Sequence, residues 1–218
     1  MADPKRILLV SAHPDDMEIG MGGTVAKMSA AGDSITSVVI TDGRRAPDPF
    51  SIGPEKMVEA RTAERLAAAK VLGIETVSFG LEAIATEESI SSATDKMVEL
   101  ISSFRPNEIF TLHPELDRHA SHRMAGKITI DALERIGETS IELWAYEVWG
   151  LFSEWDRSED ITDFLEIKKA CIEAHVSQVE AVPYTAGVIG LNRWRGVFGD
   201  PHQSSSEAAY VEVFLRLN

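Results

Sequence analysis

The sequence predicts an α/β fold with a mostly parallel sheet and helices on both faces. Three observations predict it. Short apolar segments alternate with amphipathic helical segments along the chain, which is the pattern of a parallel sheet. The first apolar segment, residues 7–10, leads directly into a polar turn and then into glycines. No repeat, low-complexity tract or change of composition divides the 218 residues, so we expect a single domain over 1–218.

The first half of the chain predicts a Rossmann-like order of strands and helices. Residues 6–12 form a first strand, residues 22–31 a helix that ends at Gly32, and residues 34–41 a second strand. Prolines make 44–54 a loop that, together with 187–203, we expect to select the substrate. A helix follows over 55–72 and ends at Gly73. Its predicted core face consists of Ala63, Leu66, Ala67, Val71 and Leu72.

The second half continues the alternation. Residues 75–79, 108–112 and 142–148 predict strands, and residues 90–104, 122–136 and 162–177 predict helices. Residues 187–199 form a stretch that bears several glycines and Trp194 and is assigned to no element, and residues 209–217 predict a final strand.

Composition excludes several classes of partner. The formal net charge of −14 disfavours nucleic-acid binding, which needs clustered Lys and Arg, but it allows a small anionic substrate held by one or two arginines. No apolar run is long enough to cross a bilayer, and the N-terminus lacks the apolar region of a signal peptide. Cys171 is the single cysteine, so no internal disulfide can form. We therefore expect a cytoplasmic protein without a membrane partner; a homo-oligomer remains open.

Two patches of ligand-type side chains each follow a predicted strand. The first contains His13, Asp15, Asp16 and Glu18, and the second contains His113, Asp117, His119 and His122. The carboxyl ends of parallel strands meet at one edge of a sheet, so the two patches can form one site. Two histidines and a carboxylate make an open metal site with a position left for water. A second carboxylate beside them can act as general base.

Other interpretations of these patches are weaker. A histidine after a strand is often only a polar surface residue, and Asp-Asp in a turn is often a helix cap. The glycines at 20, 22 and 23 lack the spacing of a dinucleotide-binding loop, and the preceding acids would repel a phosphate. The sequence also lacks the nucleophile elbow of a serine hydrolase. A non-catalytic carbohydrate-binding protein remains open.

Residues 13–24, HPDDMEIGMGGT, resemble the first signature of the PIG-L/LmbE family of zinc-dependent N-deacetylases, whose substrates include GlcNAc-phosphatidylinositol and precursors of mycothiol and bacillithiol. Residues 117–123 resemble the second signature, and 59–73, 174–178 and 209–214 resemble further family segments in the same order. The resemblance implies a hydrolase that releases acetate from an N-acetylglucosamine-type sugar or conjugate. An N-acylated glycosylated natural product is an alternative substrate.

The resemblance also implies residue roles. His13, Asp16 and His122 would bind Zn²⁺, although such a ligand set also suits Fe²⁺ or another divalent metal. Asp15 would be the general base, and His119 would stabilise the oxyanion or protonate the leaving amine. Arg61 would lie near the acetyl group. On the residues alone, Arg61 can equally be a surface residue paired with Glu64.

Several positions depart from the family pattern or have open roles. Ala120 and Ser121 replace the usual Pro-Asp, and the missing Asp is the one expected to orient His119, a task that Asp117 is a candidate to take over. The open roles are a structural one for His113, capping and packing for 175–178, a sugar or subunit contact for Trp194, and a buried, inert thiol for Cys171.

Overall fold

The fold is built on one mixed sheet. In the computed structural model, which describes residues 3–198 and 210–218, seven strands pair in the order β3-β2-β1-β4-β5-β7-β6. The strands are β1 (Arg6–Ser11), β2 (Ser34–Thr41), β3 (Glu75–Leu81), β4 (Glu108–Leu112), β5 (Glu142–Tyr146), β6 (Arg157–Asp160) and β7 (Val211–Arg216). The first five run parallel, while β7 is antiparallel to β5 and to β6. The predicted α/β class with a mostly parallel sheet is confirmed.

Helices cover the sheet. They are α1 (Asp16–Ala30), α2 (Pro54–Leu72), α3 (Glu87–Phe104), α4 (Ala120–Ile136), α5 (Leu165–Glu173), α6 (Val176–Ala181) and α7 (Tyr184–Phe198). In the described part of the chain, no helix has both the length and the apolar character needed to cross a membrane.

The centre of the sheet fixes the position of the site. Strands β1 and β4 are neighbours, they run parallel, and their apolar side chains are completely buried. Continuous apolar runs of this kind are typical of strands covered on both faces. Because β1 and β4 end at the same edge, the polar segments that follow them lie side by side.

The first helix begins earlier than the sequence predicts. α1 starts at Asp16 rather than at residue 22, and it is interrupted at Met21, whose φ and ψ are −146° and 19°. Gly20 allows this helix to approach β5 closely, because a Cβ there would lie 2.4 Å from the ring of Tyr146. The predicted start at 22 coincides with the second of the two helical segments.

Two other predicted segments differ from the structure, and one strand is absent from the sequence-based prediction. The predicted helix 162–177 is a 3₁₀ turn at Thr162–Phe164 followed by α5, and the chain breaks again before α6. Residues 184–198 form α7 although a glycine-rich stretch was expected, and the strongly charged β6 was not predicted. The parts of the predicted segments 187–203 and 209–217 that fall on 199–209 lie outside the described residues.

The predicted core face of α2 is also wrong. Ala63, Leu66, Ala67 and Val71 are exposed, and only Leu72 of the predicted set is buried. The helix instead buries a mixed face that contains Arg61, Glu64 and Arg65. Arg61 and Glu64 form an ion pair on this buried face. A search for regularly spaced apolar residues therefore does not find the face that α2 turns toward the protein.

Candidate metal centre and active site

The first patch is held in place by the turn after β1. The Oδ2 atom of Asp16 accepts hydrogen bonds from the backbone N–H groups of Ala12 and His13 at 3.0 and 2.8 Å. These two bonds leave Oδ1 of Asp16 free to face the second patch. Asp15 precedes the helix with a φ of 113°, which turns its side chain away from that of Asp16.

The two patches meet as the sequence predicts. Nδ1 of His13 lies 3.1 Å from Nε2 of His122, and that Nε2 lies 3.2 Å from Oδ1 of Asp16. Oδ2 of Asp16 lies 3.6 Å from Nδ1 of His13. Ligands about 2.0–2.1 Å from a tetrahedral Zn²⁺ lie about 3.4 Å apart. One donor atom from each of the three side chains lies within 4.8 Å of the other two, so the three could hold one ion.

The electrostatics of the trio also fit a cation. Burial alone would lower the pKa of the His122 imidazole, but the carboxylates of Asp16 and Asp117 raise it to about 10. Burial alone would raise the pKa of Asp16. The neighbouring His122 and His13 lower it by more than burial raises it, so the pKa of Asp16 lies well below its ordinary value. The carboxylate of Asp16 therefore faces the point between the three donors, and that of Asp117 lies behind the His122 ring, so both favour positive charge nearby.

Asp117 supports this trio. Its Oδ2 atom lies 3.1 Å from Nδ1 of His122, the nitrogen that faces away from Asp16. Its carboxylate also accepts N–H groups from His119, Trp149 and Gly150. A carboxylate behind a metal-binding imidazole fixes the orientation of the ring. The expectation that Asp117 orients the ring of His119 is wrong, because Asp117 contacts only the backbone of His119.

Ser121 has a similar supporting contact. Its Oγ lies 3.0 Å from Nε2 of His13, the ring nitrogen that points away from the trio. The position that departs from the family pattern therefore contacts His13 rather than the His119 ring. The ring of His119 instead stacks on His122, with centroids 5.0 Å apart, and packs near Trp149 at 5.9 Å. Burial, together with the nearby His122 and His13, lowers the pKa of His119.

Arg61 is buried against Asp15 rather than at the surface. Only 1% of its side chain is exposed, and its guanidinium lies 2.9 Å from Oδ2 of Asp15 and 3.0 Å from Oε2 of Glu64. Burial raises the pKa of Asp15, and the charge of Arg61 opposes that rise. The alternative of a surface Arg61–Glu64 pair is therefore wrong, because the pair is buried and Arg61 lines the cavity together with Asp15.

Residues 175–178 extend the network behind Arg61. His175 is buried, with Nδ1 3.4 Å from Arg61 and Nε2 3.5 Å from Oε1 of Glu18. Glu64 accepts hydrogen bonds from the backbone N–H and the hydroxyl of Ser177. The predicted packing role is confirmed, with Arg61 and Glu64 as partners, whereas His175 precedes α6 without a side-chain capping hydrogen bond. Arg61 and Glu64 are three residues apart on α2, so their contact could be predicted from the sequence. His175 lies far from Arg61 in the sequence, and no local pattern predicts their contact.

A cavity of about 630 Å³ opens above these groups. His13, Asp15, Asp16, Arg61, His119 and Ser121 line its floor, and the loop before α2 contributes Arg45 and Pro47. Trp149 and Tyr184 form an aromatic wall that no sequence pattern indicated. The volume is typical of small-molecule sites.

Three other candidates lie outside this arrangement. His113 accepts hydrogen bonds at Nδ1 from the N–H groups of Glu115 and Leu116 and packs on Phe152, which confirms a structural role. Trp194 is half exposed, packs on Phe198, and is not among the described residues that line the cavity. Cys171 is buried, as expected.

The sequence profile described as "PIG-L: GlcNAc-PI de-N-acetylase" matches residues 8–133, more than half of the chain. This chain belongs to the PIG-L family. The match contains both ligand patches and Arg61. The family assignment thus agrees with the resemblance carried by residues 13–24 and 117–123.

Individual relatives support the assignment. The PIG-L chain is 26% identical over 190 residues to the diacetylchitobiose deacetylase of Thermococcus kodakarensis, with 81% of this chain and 71% of that one covered. It superposes on N,N'-diacetylchitobiose deacetylase from Pyrococcus horikoshii with a TM-score of 0.81 at 23% identity, over 99% and 84% of the two chains.

The fold of the PIG-L chain is also found in a protein of another reaction class. The 4-carboxy-2-hydroxymuconate hydratase of Pseudomonas putida KT2440 superposes with a TM-score of 0.80 at 20% identity, over 98% of this chain and 96% of that one. Fold similarity alone therefore does not assign the reaction, which has to be inferred from the site.

Proposed function

We propose that this chain is a zinc-dependent N-deacetylase that releases acetate from an N-acetylglucosamine-type sugar or conjugate. The observation that carries the proposal is the juxtaposition of an open trio of metal donors with a second carboxylate, Asp15, in one cavity. A binding protein needs no buried carboxylate beside its metal donors. Family membership and the diacetylchitobiose deacetylases among the relatives support the same reaction.

Nδ1 of His13, Oδ1 of Asp16 and Nε2 of His122 are the proposed zinc ligands. Zn²⁺ at such a site supplies a Lewis acid for the amide carbonyl and lowers the pKa of bound water from about 15.7 to about 7. The residues of this chain fit it through donor spacing and through the two carboxylates around His122. A trio of this type also accepts Fe²⁺, so zinc is the proposed metal on the basis of the family resemblance.

Asp15 is the proposed general base. Its pKa is raised by burial, which makes the carboxylate a better proton acceptor, while Arg61 fixes its position. His119 faces the same cavity and is the proposed proton donor to the leaving amine nitrogen. Its lowered pKa makes the imidazolium a stronger acid, as protonation of a leaving amine requires.

Acetate release from a panel of N-acetyl sugars tests this function. We expect turnover that disappears after treatment with a chelator and returns when Zn²⁺ is added. Longer acyl chains in the same panel distinguish an N-deacylase for glycosylated natural products from a deacetylase. Absence of acetate from every sugar, or turnover that the chelator leaves unchanged, would contradict the proposal.

A further inference from the structure

The charges around the cavity select the kind of substrate. We infer that the substrate is an uncharged N-acetyl amino-sugar conjugate, with no phosphate or carboxylate, whose pyranose lies against Trp149 and Tyr184. This inference rests on the proposed deacetylase function and deepens it. Its evidence is the pairing of both arginines in the described cavity lining and the placement of the aromatic wall.

Two arginines line the described part of the cavity, and both are already paired. Arg61 is buried between Asp15 and Glu64 at 2.9 and 3.0 Å. Arg45 is at the rim, where its guanidinium donates to Oε1 of Glu82 at 2.7 Å. An anionic group away from the reacting amide would therefore have to compete with a carboxylate for either arginine to form the charge-assisted bonds that bind carboxylates and phosphates.

A second arginine beside Arg45 is also paired with carboxylates. Arg44 pairs with Asp42 at 2.8 Å and also approaches Glu82 at 3.5 Å. These two arginines thus face two carboxylates.

The aromatic wall supplies the complementary attraction. The ring of Trp149 lies 5.9 Å from that of His119 and 5.8 Å from that of Tyr184. The backbone of Trp149 is fixed on both sides, because its N–H donates to Asp117 and its carbonyl accepts from Arg118. Large rigid aromatic rings provide apolar contact area at low entropic cost, and the C–H face of an uncharged pyranose fits such a surface.

The test compares kcat/KM for three probes: methyl N-acetyl-β-D-glucosaminide, its phenyl analogue and N-acetylglucosamine 1-phosphate. We expect the two neutral glycosides to exceed the phosphate by about tenfold or more, a preference worth about 1.4 kcal/mol. Equal or faster turnover of the phosphate would overturn the inference and leave the deacetylase function intact. Absence of acetate from all three probes would contradict the deacetylase function itself.

Substitutions at Glu82 and at Trp149 test separately the charge argument and the aromatic contact. Glu82→Gln releases Arg45, so the ratio of neutral to phosphorylated turnover should fall severalfold; an unchanged ratio would contradict the charge argument. Trp149→Ala should lower kcat/KM for the phenyl glycoside about tenfold, and Trp149→Phe should restore most of it. Trp194→Ala, which changes a tryptophan outside the cavity lining, is the matched control. Equal effects of the alanine variants at 149 and 194 would overturn the role of the aromatic wall.

Discussion

Asp15 combines a strained backbone with a buried carboxylate. Its φ of 113° lies in the left-handed region, which costs a residue with a side chain of order 1–3 kcal/mol. Surrounding contacts maintain it, because the next residue, Asp16, is fixed by two backbone N–H groups and Arg61 pairs with the Asp15 side chain. This conformation lets adjacent carboxylates face different partners, as separate roles for ligand and base require.

Most candidate residues of the site could be predicted from the sequence one by one, but the side chains that they contact could not. A histidine and two acids directly after a buried strand indicate a site without any structure. The contact of Ser121 with His13, and of Asp117 with His122, joins residues whose relative positions depend on tertiary packing. Local sequence therefore offered Asp117 as a candidate partner of the wrong histidine, His119, and indicated no partner for Ser121.

His122→Ala should abolish metal binding, because the variant loses the buried donor that faces both His13 and Asp16. Elemental analysis of the purified protein measures this directly. His113→Ala is the matched control, since His113 belongs to the same sequence patch but serves the turn after β4. Full metal occupancy in His122→Ala would exclude the proposed ligand set.

At the scale of elements, the interruption of α1 is stabilised by a buried ion pair. Nζ of Lys168 donates to the carbonyl oxygen of Ile19, where the first helical segment ends. Glu212 accepts the N–H groups of Gly23 and Thr24 at the start of the second segment, and it lies 2.5 Å from Lys168. The glycines indicate a break in the sequence, but Glu212 follows them by nearly two hundred residues, so its capping role required the structure.

Glu212→Gln should lower the free energy of unfolding by about 3–5 kcal/mol, because it leaves Lys168 buried without a counter-charge. Chemical denaturation measures this. The double variant Lys168→Met/Glu212→Gln removes both charges and should recover part of the loss. A single variant that costs less than about 1 kcal/mol would show that the pair does not stabilise the interrupted helix.

Strand β6 is tied to α1 by Glu159, whose carboxylate accepts from Lys27 at 2.6 Å and from Arg157 at 2.9 Å. Burial raises the pKa of Glu159, but these two cations together lower it below the ordinary value. The ionised form therefore stabilises the fold above the pKa of the unfolded chain, about 4.3, and the contribution disappears as pH falls through the folded pKa.

Glu159→Gln should consequently cost about 1 kcal/mol of unfolding free energy at neutral pH and progressively less as the pH falls below about 4. Urea denaturation over this pH range measures the difference. Glu166→Gln is the control, because Glu166 forms an exposed pair with Lys169 on one helix. A cost for Glu159→Gln that does not change with pH would contradict the assignment.

Over the whole molecule, parallel topology brings together the segments that follow β1 and β4, and this arrangement could be predicted from strand order alone. The remaining walls come from α2, α6, α7 and the segment after β5, which join the site through long-range packing. The sequence predicts β7 as a strand, but it indicates neither the existence of β6 nor the antiparallel direction of the two strands. Charged β6 has no apolar alternation, and its pairing depends on β7, which comes last in the chain.

The central claim is that Asp15 moves the proton in a metal-dependent deacetylation. The most direct measurement is acetate release by Asp15→Asn, with metal content determined on the same sample. Because Asp15 lies outside the donor trio, we expect metal content equal to that of the unmodified protein and kcat reduced by about a hundredfold or more. Near-normal turnover in a metal-loaded Asp15→Asn protein would contradict the account.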